Sequence, residues 1–161
     1  FEGILRYEPG SARVLNNLGN LYYNQSDAAK AADYYERSIA IGDIFPQPHF
    51  NLGAIQQAQG DYHGAIQHYE AALQIDPNFY YPYPNLISIY VAQGNYPKAL
   101  AYAQKLQTLR PDDPRVYYNL ALIQSALGDR PAARASVQQG LARSQYDAEA
   151  KKLLAELAKS L

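Results

Sequence analysis

The 161-residue chain has no cysteine, no tryptophan, no long run of one charge and no long apolar run. Each absence removes a class of function. Without cysteine there are no disulfides, no thiolate metal ligands and no cysteine nucleophile, and the redox compartment is left open. A formal net charge of −1 and the lack of a basic stripe argue against a nucleic-acid partner, which needs clustered cations to displace phosphate counterions. No stretch approaches the roughly 18–20 apolar residues that span a bilayer, so direct membrane insertion is not expected. The sequence holds no GxSxG, no HExxH and no Gly-Lys phosphate loop, the spacings that carry nucleophile, zinc and phosphate chemistry. Neither an enzyme nor a cofactor or metal site is expected.

What the chain has in quantity is tyrosine, sixteen copies against four phenylalanines. Tyrosine brings apolar area with a polar tip, which suits helices that are all half exposed. It also has a repeat. The stretch from Pro46 to Phe79 returns in altered form every thirty-four residues. Leu18, Leu52, Leu86 and Leu120 share one place in it, and Ala31, Ala65, Ala99 and Ala133 another. This period marks stacked helical hairpins, each touching only its neighbours. The expected fold is an all-α solenoid of antiparallel helix pairs in one array over 1–161. Repeats are placed at 12–45, 46–79, 80–113 and 114–147, with a partial repeat at 1–11 and a capping helix at 148–161.

The turns are written in the same residues each time. The first helices end at Ser26, Gly60, Gly94 and Gly128, glycine being the usual residue for a left-handed C-cap. Asp27, Asp61, Asn95 and Asp129 follow as N-caps of the second helices, their side-chain oxygens accepting from orphan N–H groups. Pro77 and Pro111 stop second helices, as Pro9 does in the partial unit. Phe1, Ile4, Leu5 and Pro9 match Tyr69, Ala72, Leu73 and Pro77 in register, so the chain reads as opening partway through a helix, with an apolar first surface suited to self-association.

Two stripes separate on the first helices. Leu15, Leu18, Gly19 and Tyr22 should face the paired helix, as should Tyr83, Leu86, Ile87 and Tyr90. Gly19, Gly53 and Ala121 would let the helices approach closely. Ile87 breaks that rule, but Ala103 stands where Tyr35 and Tyr69 stand earlier, which predicts an exchange of large for small across the third hairpin. In residues 148–161, Ala150, Leu153, Leu154, Leu157, Ala158 and Leu161 form one stripe opposite Glu149, Lys152, Glu156 and Lys159.

With these residues in place, the chain resembles the tetratricopeptide repeat family. Leu52-Gly53, Ala65, Tyr69, Ala72 and Pro77 carry the family pattern in the second unit. Leu18-Gly19, Tyr22, Ala31 and Tyr35 carry it in the first, and Tyr90, Ala99 and Pro111 in the third. Asp43 and Gln145 depart from it where proline is usual, Gln56 and Gln124 where an aromatic is usual. The resemblance implies a right-handed superhelix with a concave groove lined by the first helices, binding peptides or proteins without chemistry of its own.

The second stripe should look into that groove. Every unit carries asparagine in its sixth place: Asn17, Asn51, Asn85 and Asn119. Asparagine is a poor helix former, but its amide offers donor and acceptor together and can clasp a peptide bond without reading a side chain. Helices about 10 Å apart would meet an extended chain, rising about 3.3 Å per residue, at about every third residue. The ladder is similar to that in the tetratricopeptide arm of O-linked N-acetylglucosamine transferase. The alternative is that these amides only bridge neighbouring repeats. Beside them lie Arg13, Asn16, Asn20, Tyr23, Asn24, Gln47 and Phe50, then Tyr81, Ser88, Val91, Arg115, Tyr118 and Leu122. This amide and aromatic mixture suits a partner surface better than a solvated face, and its low charge points to an uncharged or mixed extended peptide. The family's clamp for acidic chaperone C-termini is rejected. Asn20 and Asn51 match its amide places, but Asn16, Tyr81 and Asn85 occupy its cationic ones.

His63 and His68 are expected on different helix faces with His49 on another helix, all as ordinary surface or interface residues, and Asp112-Asp113 as turn formers. The expected function is a non-catalytic module for a protein or extended peptide. The alternatives are an assembly element joining copies through ends or convex face, and the substrate-recruiting arm of a larger enzyme such as a glycosyltransferase.

Overall fold

A computed structural model describes residues 11–42, 45–145 and 147–161. Among these residues there are nine α-helices and no strand: α1 Ala12–Asn24, α2 Ala28–Ile41, α3 Gln47–Ala58, α4 Tyr62–Ile75, α5 Pro82–Ala92, α6 Tyr96–Leu109, α7 Pro114–Ala126, α8 Arg130–Arg143 and α9 Ala148–Ser160. The partial repeat, its apolar surface and Asp43 lie outside the described residues, apart from Ser11, which caps α1. Two compact units are formed by residues 1–82 and 83–161. Each is built of helix pairs, an all-α solenoid architecture.

The expected punctuation is present. Ser26 (φ 63°), Gly60 (83°), Gly94 (69°) and Gly128 (83°) all adopt the left-handed conformation that ends a first helix. A Cβ on any of the three glycines would meet nothing, so glycine is needed there for its backbone freedom and not for space. Ser26 holds the same angle with a side chain, at a cost of about 1 kcal/mol. Ser26→Gly is therefore expected to stabilise the protein by about that amount, seen as a higher urea midpoint with an unchanged slope.

Asp27, Asp61, Asn95 and Asp129 accept from the backbone N–H of Lys30 (3.1 Å), Gly64 (2.9 Å), Lys98 (3.4 Å) and Ala132 (3.0 Å). Asp27 is held below the usual carboxylate range, chiefly by that backbone hydrogen bond, with the Lys30 side chain adding to it. The same device recurs at Ser11, Asp113 and Asp147, on Val14, Arg115 and Ala150. Asp113 is thus a cap as well as a turn residue.

The close-approach rule holds within hairpins. A Cβ on Gly19 would run into the Tyr35 ring, and one on Gly53 would lie 2.7 Å from Tyr69 Cε1. In the third hairpin Ile87 and Ala103 are both buried, and in the fourth Ala121 and Val137 share a cluster with Leu154. The bulk has changed sides, as volume balance requires.

A second set of places related by the repeat, 22/34, 56/68, 90/102 and 124/136, differs from hairpin to hairpin. Tyr22 stacks on Tyr34 (5.2 Å, 6°) and Tyr90 on Tyr102 (5.7 Å, 7°). Gln124 instead lies 2.7 Å from the Ser136 hydroxyl. Gln56 is wedged against Gly64, its Oε1 buried without a partner among the described residues.

Helix α9 packs on α7 and α8. Ala150 and Leu154 are fully covered, and Leu153, Leu157 and Leu161 are half-buried. Ala158, expected in this stripe, is exposed. The stripe is wider than the surface that α7 and α8 offer it, so its flank stays in water. Glu149, Lys152, Glu156 and Lys159 face solvent.

Candidate functional site

In residues 1–82, α1 exposes Arg13, Asn17, Asn20, Tyr23 and Asn24 to solvent. Arg13 sits over the Phe45 ring at 6.0 Å. Asn20, Tyr23 and Asn24 line a recess of about 460 Å³ with Tyr35, Phe50, Asn51 and Ala54. Register places five of these on the groove stripe; Tyr35, which reads as core, and Ala54 are added by the structure. No ionised side chain lines the recess.

Its wall is a hydrogen-bonded network. The Tyr35 hydroxyl donates to Asn20 Oδ1 at 2.7 Å. Asn51 Nδ2 donates to that same oxygen at 3.0 Å and to Asn16 Oδ1 at 3.3 Å. Asn16, taken from the sequence as a groove residue, is buried and belongs to the seam between α1 and α3. Burial of the Tyr35 ring, with a smaller contribution from Tyr23, pushes its phenol up to about 12, so it remains a donor.

Beside the recess, Phe50 is the hub of an aromatic cluster. Tyr69, Phe79 and Tyr81 lie 5.9, 5.8 and 5.9 Å from it, centroid to centroid. Tyr81 stacks on Tyr80 at 4.2 Å and is half exposed. Rings held by rings lose little freedom when a partner docks. Gln47 is exposed on the first turn of α3.

In residues 83–161, Ser88, Val91, Asn119 and Leu122 line a recess of about 340 Å³ between α5 and α7, with Pro84, Ile87 and Ile123 among its walls. Arg115, Tyr118 and Asn119 line a second, of about 560 Å³, to which α9 adds Glu149 and Leu153. Arg115 is paired with Asp147 at 3.2 Å, an exposed contact of small energy. Asn119 is half-buried and borders both; Asn85 is half-buried on α5. The four equivalent asparagines thus occupy different surroundings.

Three family models, each described as tetratricopeptide repeat, match residues 12–42, 46–79 and 90–157. The chain belongs to the tetratricopeptide repeat family. Solved structures agree on the fold. A crystal structure of MamA protein superposes with TM-score 0.77 at 19% identity, covering 92% of this chain and 81% of that one. YrrB, described as a tetratricopeptide protein with an unusual peptide-binding site, gives 0.74 at 18%, covering 98% and 78%. Pseudomonas aeruginosa pilF gives 0.75 at 19%, covering 92% and 68%. No curated protein matches the sequence significantly.

This tetratricopeptide chain also contains a pairing that its sequence did not announce. His49 and His68, expected as unrelated residues, meet across α3 and α4 with their Nδ1 atoms 2.8 Å apart and ring centroids at 5.1 Å. In the third hairpin the same places are filled by Tyr83 and Tyr102, 6.1 Å apart edge to face. The thirty-four-residue register alone would have placed the histidines opposite each other. Among the described residues no three metal-ligating side chains cluster.

Proposed function

We propose that this chain is a non-catalytic interaction module that holds an extended, uncharged stretch of peptide or protein against its first helices. One observation carries the reading: Asn20, Tyr23, Asn24, Phe50 and Asn51, chosen by register, border a single recess that no charged group lines. Amides there can pair with a peptide backbone, and fixed aromatic rings can cover apolar side chains at low entropic cost. A charged side chain would lose hydration without gaining a partner. The description of YrrB as peptide-binding fits this reading.

Panning a phage-displayed library of random peptides of about ten residues, enough to pass both α1 and α3 at about 3.3 Å per residue, is expected to enrich neutral sequences. Phe50→Ala should weaken the enriched peptide by about tenfold or more, as loss of an aromatic anchor does, and adding Asn51→Ala should weaken it further. Binding unchanged by both replacements would remove this face as the site.

A further inference from the structure

The recess on α1 and α3 has amides whose orientation is not free. A buried phenol has one proton to place, and for Tyr35 the acceptor in reach is Asn20 Oδ1 at 2.7 Å. That proton turns the Asn20 amide oxygen inward. Asn51 can meet an inward oxygen only with its donor, and its two N–H bonds are then both used, one on Asn20 Oδ1 and one on Asn16 Oδ1. What remains toward the recess is the NH2 of Asn20 and the Oδ1 of Asn51. Asn20 is exposed and Asn51 half-buried, so both can be reached from solvent.

We propose that Tyr35 sets Asn20 and Asn51 as a polarised clamp, one donating and one accepting, that grips the C=O and N–H of a single residue in an extended peptide and so fixes the direction in which the peptide lies. This rests on the peptide-binding reading above. In an extended chain the N–H and C=O of one residue point to the same edge, as in the hydrogen-bonded pairs of an antiparallel ladder. A donor and an acceptor side by side match that pair. A chain-terminal carboxylate, which only accepts, would meet Asn51 Oδ1 with a like group, so the clamp favours an internal residue. Proline at the gripped residue has no N–H to give.

The device is confined to the first hairpin. In the second, the Tyr69 hydroxyl gives its proton to Gln57 Oε1 at 2.7 Å. The places equivalent to Asn20 hold Ala54, Ser88 and Leu122, none of which carries an amide. Tyr35 acts as a positioning residue: it is buried and its hydroxyl proton is spent on Asn20.

The test uses the whole 161-residue chain and a peptide enriched from the random phage library. Backbone N-methyl groups are introduced one residue at a time and affinity is read by fluorescence anisotropy. One position should lose about tenfold, the worth of a hydrogen bond whose loss strands its acceptor. That loss should disappear in Asn51→Ala and shrink in Tyr35→Phe. Tyr35→Phe should also weaken the unmodified peptide several-fold with an unchanged circular-dichroism spectrum, whereas Tyr117→Phe, which deletes a phenol that donates to the Pro111 carbonyl at 2.7 Å, should bind as the parent does. If no N-methyl position couples to Asn51, or Tyr35→Phe binds like the parent, the clamp is overturned while peptide binding stands. If panning enriches no peptide, the peptide-binding reading itself falls and takes the clamp with it.

Discussion

Gly53→Ile is expected to destabilise the protein by about 3 kcal/mol, near the upper end for overpacking a core, and Tyr69→Ala added to it should cost far less than it does alone. A Cβ at Gly53 would lie 2.7 and 2.8 Å from Tyr69 Cε1 and Cδ1 and 3.2 Å from the Ala65 carbonyl oxygen. The ring cannot swing away. Tyr69 is fully buried, tied to Gln57 at 2.7 Å and packed on Phe50. Tyr69→Ala alone should cost about 3–5 kcal/mol by leaving a cavity. Together the two changes rebuild the pairing already present at Ile87 and Ala103, so the double variant should lie about 2–3 kcal/mol above the sum of the single ones. Urea unfolding of the four proteins measures this. Strictly additive losses would mean that the two residues do not share a space.

Leu154→Ala should be the most damaging change in the capping helix, costing about 2–4 kcal/mol. Leu154 is fully buried, and its Cδ1 stands 2.8 Å from where a Cβ on Gly140 would be, with Tyr117 Cβ at 2.9 Å from the same point. Glycine at 140 lets α9 sit close enough for this leucine to fill the gap, so little can relax into the void. Leu157 is half-buried, and Leu157→Ala should cost about half as much or less. Thermal unfolding followed at 222 nm distinguishes the two. Equal losses would show that α9 is held by its whole stripe and not by one anchor.

The fold was legible because its rules are local. A left-handed residue followed by Asp or Asn ends one helix and starts the next whatever surrounds it, and Gly19 with Tyr35 repeats as Gly53 with Tyr69. The recess was partly legible for the same reason, since register alone brought Asn20, Tyr23, Asn24, Phe50 and Asn51 together. Two features needed three dimensions. The Tyr35–Asn20–Asn51–Asn16 network depends on three helices meeting, and a list of groove residues gives no hint which amide atom is already engaged. The exposure of Ala158 depends on how much surface α7 and α8 present, which no periodicity encodes.

Hairpins built to one plan run the risk that a helix docks on the wrong partner while the chain is collapsing. The places that the repeat makes equivalent in the four hairpins hold a tyrosine stack, a glutamine and a histidine, a second tyrosine stack and a glutamine with a serine. Helices next to each other in the chain therefore carry different keys. A first helix laid on its neighbour's second helix would set Tyr22 on His68 or Gln56 on Tyr102, and the stacks that Tyr22 and Tyr102 make in their own hairpins would be lost. Such mismatches raise the energy of out-of-register docking without touching the correct one. The same variation that makes the repeats hard to align lets the chain tell its own segments apart as it folds.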